Sequence, residues 1–290
     1  MILRLSNRII RFPRRPLVMG IVNVNDDSFS GDGTVVVADA LRHAGGQAAA
    51  GADLIDVGAE SARTNRAAVP VEEEIARFRG FFAGWKETVA DLRPVDDRQV
   101  WPPVLSANTW RSEVVRAVLE MGVEVVNDLG GLPEARNARL AAESGAALLV
   151  MHTIGPPKIA QTGRTWADIM AELARFFRVK LALAVSAGLR DDQLIIDPGI
   201  DFAKQRPDNL RILADLEALQ EFERPILLPV SRKTVIGEVL GIEDPAGRGA
   251  GTIACVVAGM RGGAHLFRVH DVAAAWQAVK VLWAVHGARE

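Results

Sequence analysis

The sequence predicts an α/β fold, a (β/α)8 TIM barrel with a short N-terminal β-hairpin, and three observations predict it. An apolar β-type run followed by a helix-like segment recurs eight times along the chain. Each run closes, at its C-terminal side only, on polar or charged residues. No Gly-x-Gly-x-x-Gly fingerprint of an open dinucleotide-binding sheet follows any of them. Parallel strands buried on both faces read as continuous apolar runs, and barrels of this kind gather their chemistry at the C-terminal strand ends.

The runs come in order. Residues 17–22 end at Asn23, and residues 53–58 lead to Glu60 and Arg63. Residues 104–107 reach Asn108, residues 123–126 reach Asn127 and Asp128, and residues 147–151 end at His152. Residues 194–196 end at Asp197, and residues 226–230 end at Ser231 and Lys233. The eighth run, residues 263–269, closes on Arg268, His270 and Asp271. Strand periodicity puts Leu266, Arg268 and His270 on one face and Phe267 and Val269 on the other, so an apolar column ends in a guanidinium and an imidazole. That pair suits a phosphate or diphosphate. Taken alone it reads as a structural ion pair, with Asp271 the nearest partner; the recurrence of polar strand ends is what favours a shared functional face. His152 reads as a loop or rim hydrogen-bonder and stays outside the catalytic set.

Between the runs, apolar residues three and four apart mark helices that cover a sheet. Trp166, Ile169, Met170, Leu173, Phe176 and Phe177, continued by Leu181 and Val185, form one stripe; Trp276, Val279 and Trp283 form another, expected to pack on the barrel. Residues 1–290 read as one domain, in which residues 1–15, with Ile2, Leu3, Leu5, Ile9, Ile10 and Phe12 alternating, form an extension closing the barrel bottom. A chain of 290 residues, 49% hydrophobic, is long enough for that core. Its net charge of -2 gives no general attraction to nucleic acid, and the cluster Arg11, Arg14 and Arg15 reads as solvated surface. A single cysteine, Cys255, excludes an intrachain disulfide. Without a long uncharged apolar run or a signal-peptide pattern, no membrane association is expected and the location reads as cytoplasmic.

Seven ordered segments resemble the dihydropteroate synthase family. They are residues 20–30, residues 51–63, Asn127-Asp128, Met151-His152, Asp197-Pro198-Gly199, Ser231-Arg232-Lys233 and residues 268–271, and together they cover almost the whole length from Leu17 onward. The resemblance implies replacement of the diphosphate on a 6-hydroxymethyl-7,8-dihydropterin by the amine of p-aminobenzoate, with small-molecule partners only and a homodimer through barrel helices. It places Asn108, Asn127, Asp197 and Lys233 on the pterin and Asn23, Arg63, Arg268 and His270 on the diphosphate. Phe29, Ser61, Phe202 and Ser231 fall at the p-aminobenzoate. Asp27, Lys233, Arg268 and His270 form the implied catalytic set. Mg²⁺ is the implied cofactor, with Asn23 as its protein contact.

Those roles agree with what the side chains do chemically. A carboxylate accepts the two neighbouring N–H donors of a pterin edge, an asparagine complements the mixed pattern beside it, and fixed cations stabilise a departing diphosphate. The arylamine is neutral near pH 7, so no strong general base is required. Within Ser-Arg-Lys, Lys233 reads as a polar binder rather than the desolvated amine of a Schiff-base aldolase. Asn108 stands where the family carries an aspartate, keeping the shape and losing the charge. Ala62 and Thr64 replace threonine and proline, and Asn25-Asp26 replaces threonine-proline. A methyltetrahydrofolate-dependent methyltransferase and a non-catalytic pterin-binding paralogue are the other readings.

Overall fold

A computed structural model describes residues 1–25, 33–61, 67–159, 161 and 163–288. Strands β1 (Ile2–Arg4) and β2 (Ile9–Arg11) form an antiparallel hairpin ahead of the barrel. The chain then alternates β3 (Leu17–Asn23), α1 (Val37–Ala49), β4 (Leu54–Gly58), α2 (Val71–Ala90), β5 (Val104–Asn108), α3 (Ser112–Glu120), β6 (Val125–Asp128) and α4 (Arg136–Ser144). It continues through β7 (Ala147–Met151), α5 (Ile169–Ser186), β8 (Leu194–Asp197), α6 (Arg206–Ala214), β9 (Leu227–Leu228) and α7 (Thr234–Leu240) to α8 (Gly249–Arg261), β10 (Leu266–Val269) and α9 (Val272–Gly287).

The eight strands β3 to β10 pair in parallel in the order β8-β7-β6-β5-β4-β3-β10-β9. A parallel bridge between Ile196 and Ile226 joins the two ends into a barrel. Alternate strand residues take opposite sides. Val18, Ile55, Val126, Leu148 and Phe267 point outward to the helices, in one core with Phe81, Leu173 and Val279. Leu17, Met19, Leu54, Val104, Val125, Leu149, Leu227 and Leu266 point inward, in a second core that includes Leu3, Leu5 and Ile10 of the N-terminal segment. This apolar layer fills the barrel near the strand starts, so the interior becomes polar only toward the strand ends.

Two expected features turn out differently. Arg15 is 2% exposed, and its guanidinium grips Asp53 in a fork of 2.8 and 3.1 Å. Asp53 also accepts from Val18 N and Val100 N. Arg15 is therefore a buried tie across the start of β4 rather than solvated surface; an ion pair so deep survives only because every charged atom of the carboxylate finds a donor. The helical stripes, too, are narrower than expected. Leu173, Phe177 and Leu181 of α5 are buried, but Val185 is 42% exposed in the last turn. Trp276 and Val279 of α9 pack on the core, whereas Trp283 lies farther along the helix, its ring near His286. In α5 the neighbouring Ala184 is fully buried and Leu189 beyond it is 2% exposed, so Val185 lies on the flank of the buried stripe rather than past its end.

Candidate active site

A cavity of about 300 Å³ opens at the C-terminal ends of the strands. Its walls come from nearly every strand: Asn23 from β3, Gly58 with the following Ser61 from β4, Asn108 from β5, Asn127 from β6, Met151 from β7 and Asp197 from β8. Asp201 and Phe202 of the next loop, Ser231 and Lys233 after β9, and Arg268 and His270 from β10 complete them. Thus Asn23, Ser61, Asn108, Asn127, Asp197, Phe202, Ser231, Lys233, Arg268 and His270, expected from the sequence, converge on one pocket. Asp27, Phe29 and Arg63 lie outside the described residues.

The floor is organised by Asp56, a residue to which the sequence assigned no role. Asp56 sits at an inward position of β4, directly opposite Ser106 in the sheet register, and has no solvent exposure. Ser106 Oγ donates to its Oδ1 at 2.5 Å, while Asn127 Nδ2 at 3.0 Å and Arg268 Nε at 2.7 Å donate to Oδ2. Arg268 therefore pairs across β3 with Asp56, not with Asp271, which instead caps α9 by accepting from Ala274 N at 3.0 Å. The pairing has a chemical consequence. With its NH2 turned to Asp56, Asn127 presents Oδ1, which is buried with no hydrogen-bond partner in the protein, and Asn108 Oδ1 is in the same state. Buried acceptors left unpaired are costly, and N–H donors of a ligand would satisfy them.

Asp197 is 2% exposed. One of its oxygens accepts from Gly199 N at 2.7 Å, the turn expected of Asp-Pro-Gly. Glycine is required there: φ is 69°, and a Cβ would lie 2.1 Å from His152 O. Burial pushes the Asp197 carboxyl up to about 6, although Gly199 N, Lys233, Lys204 and Arg268 all favour its ionised form. Burial likewise lowers the Lys233 ammonium, with Asp201 and Asp197 opposing. Lys233 is thus more desolvated than its Ser-Arg-Lys setting implies. Its Nζ nevertheless donates to Ile200 O at 2.8 Å and lies 4.8 Å from the centre of the Phe202 ring.

A second lysine holds this wall. Lys204 Nζ donates to Gly199 O and Phe202 O, both at 2.9 Å, and meets His152 Nδ1 at 2.8 Å. Burial lowers Lys204 to about 7. His152 points out of the barrel, edge-on to Trp166 and Phe176, and burial followed by the Lys204 charge lowers it to about 2. It is a neutral packing residue. Across the pocket, His270 N and Nδ1 both meet Ser231 Oγ, at 3.1 and 2.8 Å. Ser231 thus sets the orientation of the imidazole as well as lining the wall. Glu60 is turned to Arg111 at 2.8 Å and Lys158 at 3.2 Å, and Lys158 Nζ donates to Ser61 O at 3.0 Å. That network anchors the segment after β4.

Asp56, Lys204 and Asp201 were the residues the sequence did not reveal. Asp56 alone left a trace, as a carboxylate between Ile55 and Val57 in a run otherwise fit for burial.

Among the described residues, no group of three or more His, Cys, Asp or Glu is arranged to hold a metal. Asn23 places an amide oxygen at the pocket wall beside Gly58. One neutral oxygen donor fits Mg²⁺ that takes its other ligands from phosphate and water, not a permanently caged ion.

The pterin binding enzyme family matches residues 19–270. The dihydropteroate synthase of Escherichia coli strain K12 is 37% identical over 277 residues, 95% of this chain and 93% of that protein. Xanthomonas albilineans dihydropteroate synthase with 4-aminobenzoic acid superposes with a TM-score of 0.85 at 36% identity, covering 99% of each chain. The same enzyme in complex with 7,8-dihydropteroate gives a TM-score of 0.81 at 35% identity over 98% of each chain. With the strand ends converging on one pocket and likeness along nearly its full length, the chain belongs to the pterin binding enzymes, within the dihydropteroate synthase family.

Proposed function

We propose that the protein condenses 6-hydroxymethyl-7,8-dihydropterin diphosphate with p-aminobenzoate, releasing 7,8-dihydropteroate and diphosphate. The observation that carries this reading is the sharing of Asp56: the same carboxylate turns Asn127 Oδ1 toward the pocket and grips Arg268 through Nε. Acceptors for a flat, donor-rich heterocycle and a guanidinium for an anion are thereby coupled in one cavity. Asp197 accepts the paired N–H groups of the pterin edge, and Asn127 and Asn108 take the neighbouring donors. Lys233 donates to the pterin carbonyl or ring nitrogen, its stem against the ring.

Departure of the diphosphate gathers negative charge at the β10 end. Arg268 and His270 hold it, together with Arg63, and Asp27 acts from the segment after β3. Asn23 would hold Mg²⁺ through its amide oxygen, and the bound ion would supply further neutralisation of the leaving group. Phe202, Ser61, Ser231 and Phe29 bound the arylamine, whose nitrogen attacks the carbon that the diphosphate leaves. No group need remove its proton beforehand. Two copies meet through barrel helices, where Leu210 of α6 and Val239 and Leu240 of α7 are exposed; a monomeric mass by light scattering would refute that arrangement.

The reaction is tested with purified protein, Mg²⁺, the dihydropterin diphosphate and p-aminobenzoate. Diphosphate and dihydropteroate are expected to form in equal amounts. Tight binding of the pterin diphosphate with neither product would instead identify a pterin-binding paralogue, and methyl transfer from methyltetrahydrofolate would identify a methyltransferase.

A further inference from the structure

One buried charge beside the cavity takes no part in the proposed reaction: Lys204, 7% exposed, in the loop after β8. That loop is strained. Gly199, Asp201 and Ala203 hold left-handed backbone, at φ 69°, 68° and 52°, and for the last two the surroundings must enforce it. Three side chains do so. Asn209 Oδ1 of α6 accepts from Asp201 N at 2.9 Å, and Trp166 Nε1 donates to Ala203 O at 2.9 Å. Lys204 Nζ donates to Gly199 O and Phe202 O, both at 2.9 Å. The first two are neutral, so tethering a main-chain oxygen does not by itself call for an ammonium.

A buried ammonium is costly unless an opposite charge offsets it. Asp197 is placed to do that, because the two residues hold opposite ends of Gly199: its N–H donates to Asp197 Oδ1 at 2.7 Å, and its C=O accepts from Lys204 Nζ. One glycine thus fixes where the carboxylate and the ammonium stand. Asp208 of α6 and Asp201 also attract Lys204, and Lys233 repels it. His152, 2.8 Å from Nζ, is neutral, with Glu172 of α5 lying 3.6 Å from its far nitrogen. Asp197 is attracted in addition by Lys233 and Arg268. Those two cations line the cavity, where a ligand engages them, whereas Lys204 does not. Burial sets Lys204 at about 7 and Asp197 at about 6, so Lys204 carries its charge throughout the range in which Asp197 takes up a proton.

Resting on the assignment of Asp197 to the pterin edge, we propose that Lys204 is a positioning residue that acts on the pterin through Asp197, keeping that carboxylate ionised and aimed from outside the cavity. Removing a nearby cation raises a buried carboxyl by about one pH unit.

The test measures binding of 6-hydroxymethyl-7,8-dihydropterin by calorimetry from about pH 5 to about pH 8, the range around the Asp197 titration. It compares the wild-type protein with Lys204→Met, Lys204→Arg and Trp166→Phe. Lys204→Met removes the charge, Lys204→Arg keeps it, and Trp166→Phe loosens the same loop at Ala203 O without touching a charge. Wild-type affinity is expected to fall as pH drops through about 6. In Lys204→Met that fall should begin about one pH unit higher, while the other two variants keep it in place whatever their affinity at the alkaline end. An unmoved fall in Lys204→Met, or an equal shift in Trp166→Phe, would overturn the proposal and leave Lys204 a loop tether. Should Lys204→Met not fold, Lys204→Gln, which keeps donors for the loop oxygens without the charge, decides in its place. Wild-type binding with no fall would overturn the proposal too, and no binding at any pH would overturn the pterin site itself.

Discussion

Replacing Asp197 with asparagine is expected to reduce kcat/KM for the dihydropterin diphosphate by about 100- to 1000-fold while making the free protein more stable. The loss follows from chemistry at the pterin edge. A carboxylate offers acceptors to two N–H donors at once, whereas an amide turns at least one N–H toward them, and a charge-assisted bond is worth about 1.5–3 kcal/mol. The gain follows from burial. The Asp197 carboxyl is pushed from 3.8 up to about 6 in the folded chain. Between those values the folded protein keeps a proton that the unfolded chain has lost, so the contribution of Asp197 to stability falls as pH rises through this window and stays reduced at pH 7. An asparagine in its place carries no such penalty and still has an oxygen for Gly199 N. The variant is expected to be more stable by about 1–2 kcal/mol at pH 7, and the difference should vanish near pH 4. Urea unfolding of both proteins at the two pH values checks this. A variant that is less stable at pH 7 would show that the carboxylate serves the fold more than the ligand.

Replacing Arg268 with alanine is expected to act on two separable quantities, ligand handling and stability. The guanidinium reaches Asp56 through Nε, and in the proposed reaction its other nitrogens face the diphosphate. Turnover of the pterin diphosphate should fall by about 1000-fold, because a preorganised cation acts on charge that grows in the transition state. Binding of a pterin without phosphates should weaken less than about tenfold. Stability should fall by about 3 kcal/mol, since Asp56 remains fully buried with one cationic partner removed. Calorimetry with the phosphate-free pterin, steady-state kinetics and urea unfolding separate these effects. Equal losses in turnover and in phosphate-free binding would contradict the role given to Arg268.

How far the site could be read from the sequence depended on how local each signal was. Arg268 and His270 share a face because a strand repeats every second residue, and Asp197 announces itself by the Pro198-Gly199 turn that follows. Both belong to segments whose structure a few neighbours determine. Asp56 does not. Its partners Ser106, Asn127 and Arg268 lie 50, 71 and 212 positions along the chain, and only the strand order β6-β5-β4-β3-β10 brings them together. Arg15 was misread for the same reason: beside Arg14 it looks like surface charge until Asp53, 38 residues on, closes over it. Lys204 could not be singled out, because its acceptors are the main-chain oxygens of Gly199 and Phe202, which leave no mark in a sequence. Val185 shows the converse limit: it keeps a helical spacing to Leu181 yet falls on the flank of α5, beside the fully buried Ala184.

The pairing of a carboxylate and amide floor with a cationic rim in a single cavity is tested most directly by a crystal structure of the protein with the dihydropterin diphosphate. The pterin edge should lie against Asp197, with donors on Asn127 Oδ1 and Asn108 Oδ1, and the phosphates should lie within hydrogen-bonding distance of Arg268 and His270. A ligand seated with its phosphates away from β10, or with Asn127 Oδ1 still unpartnered beneath it, would contradict the account.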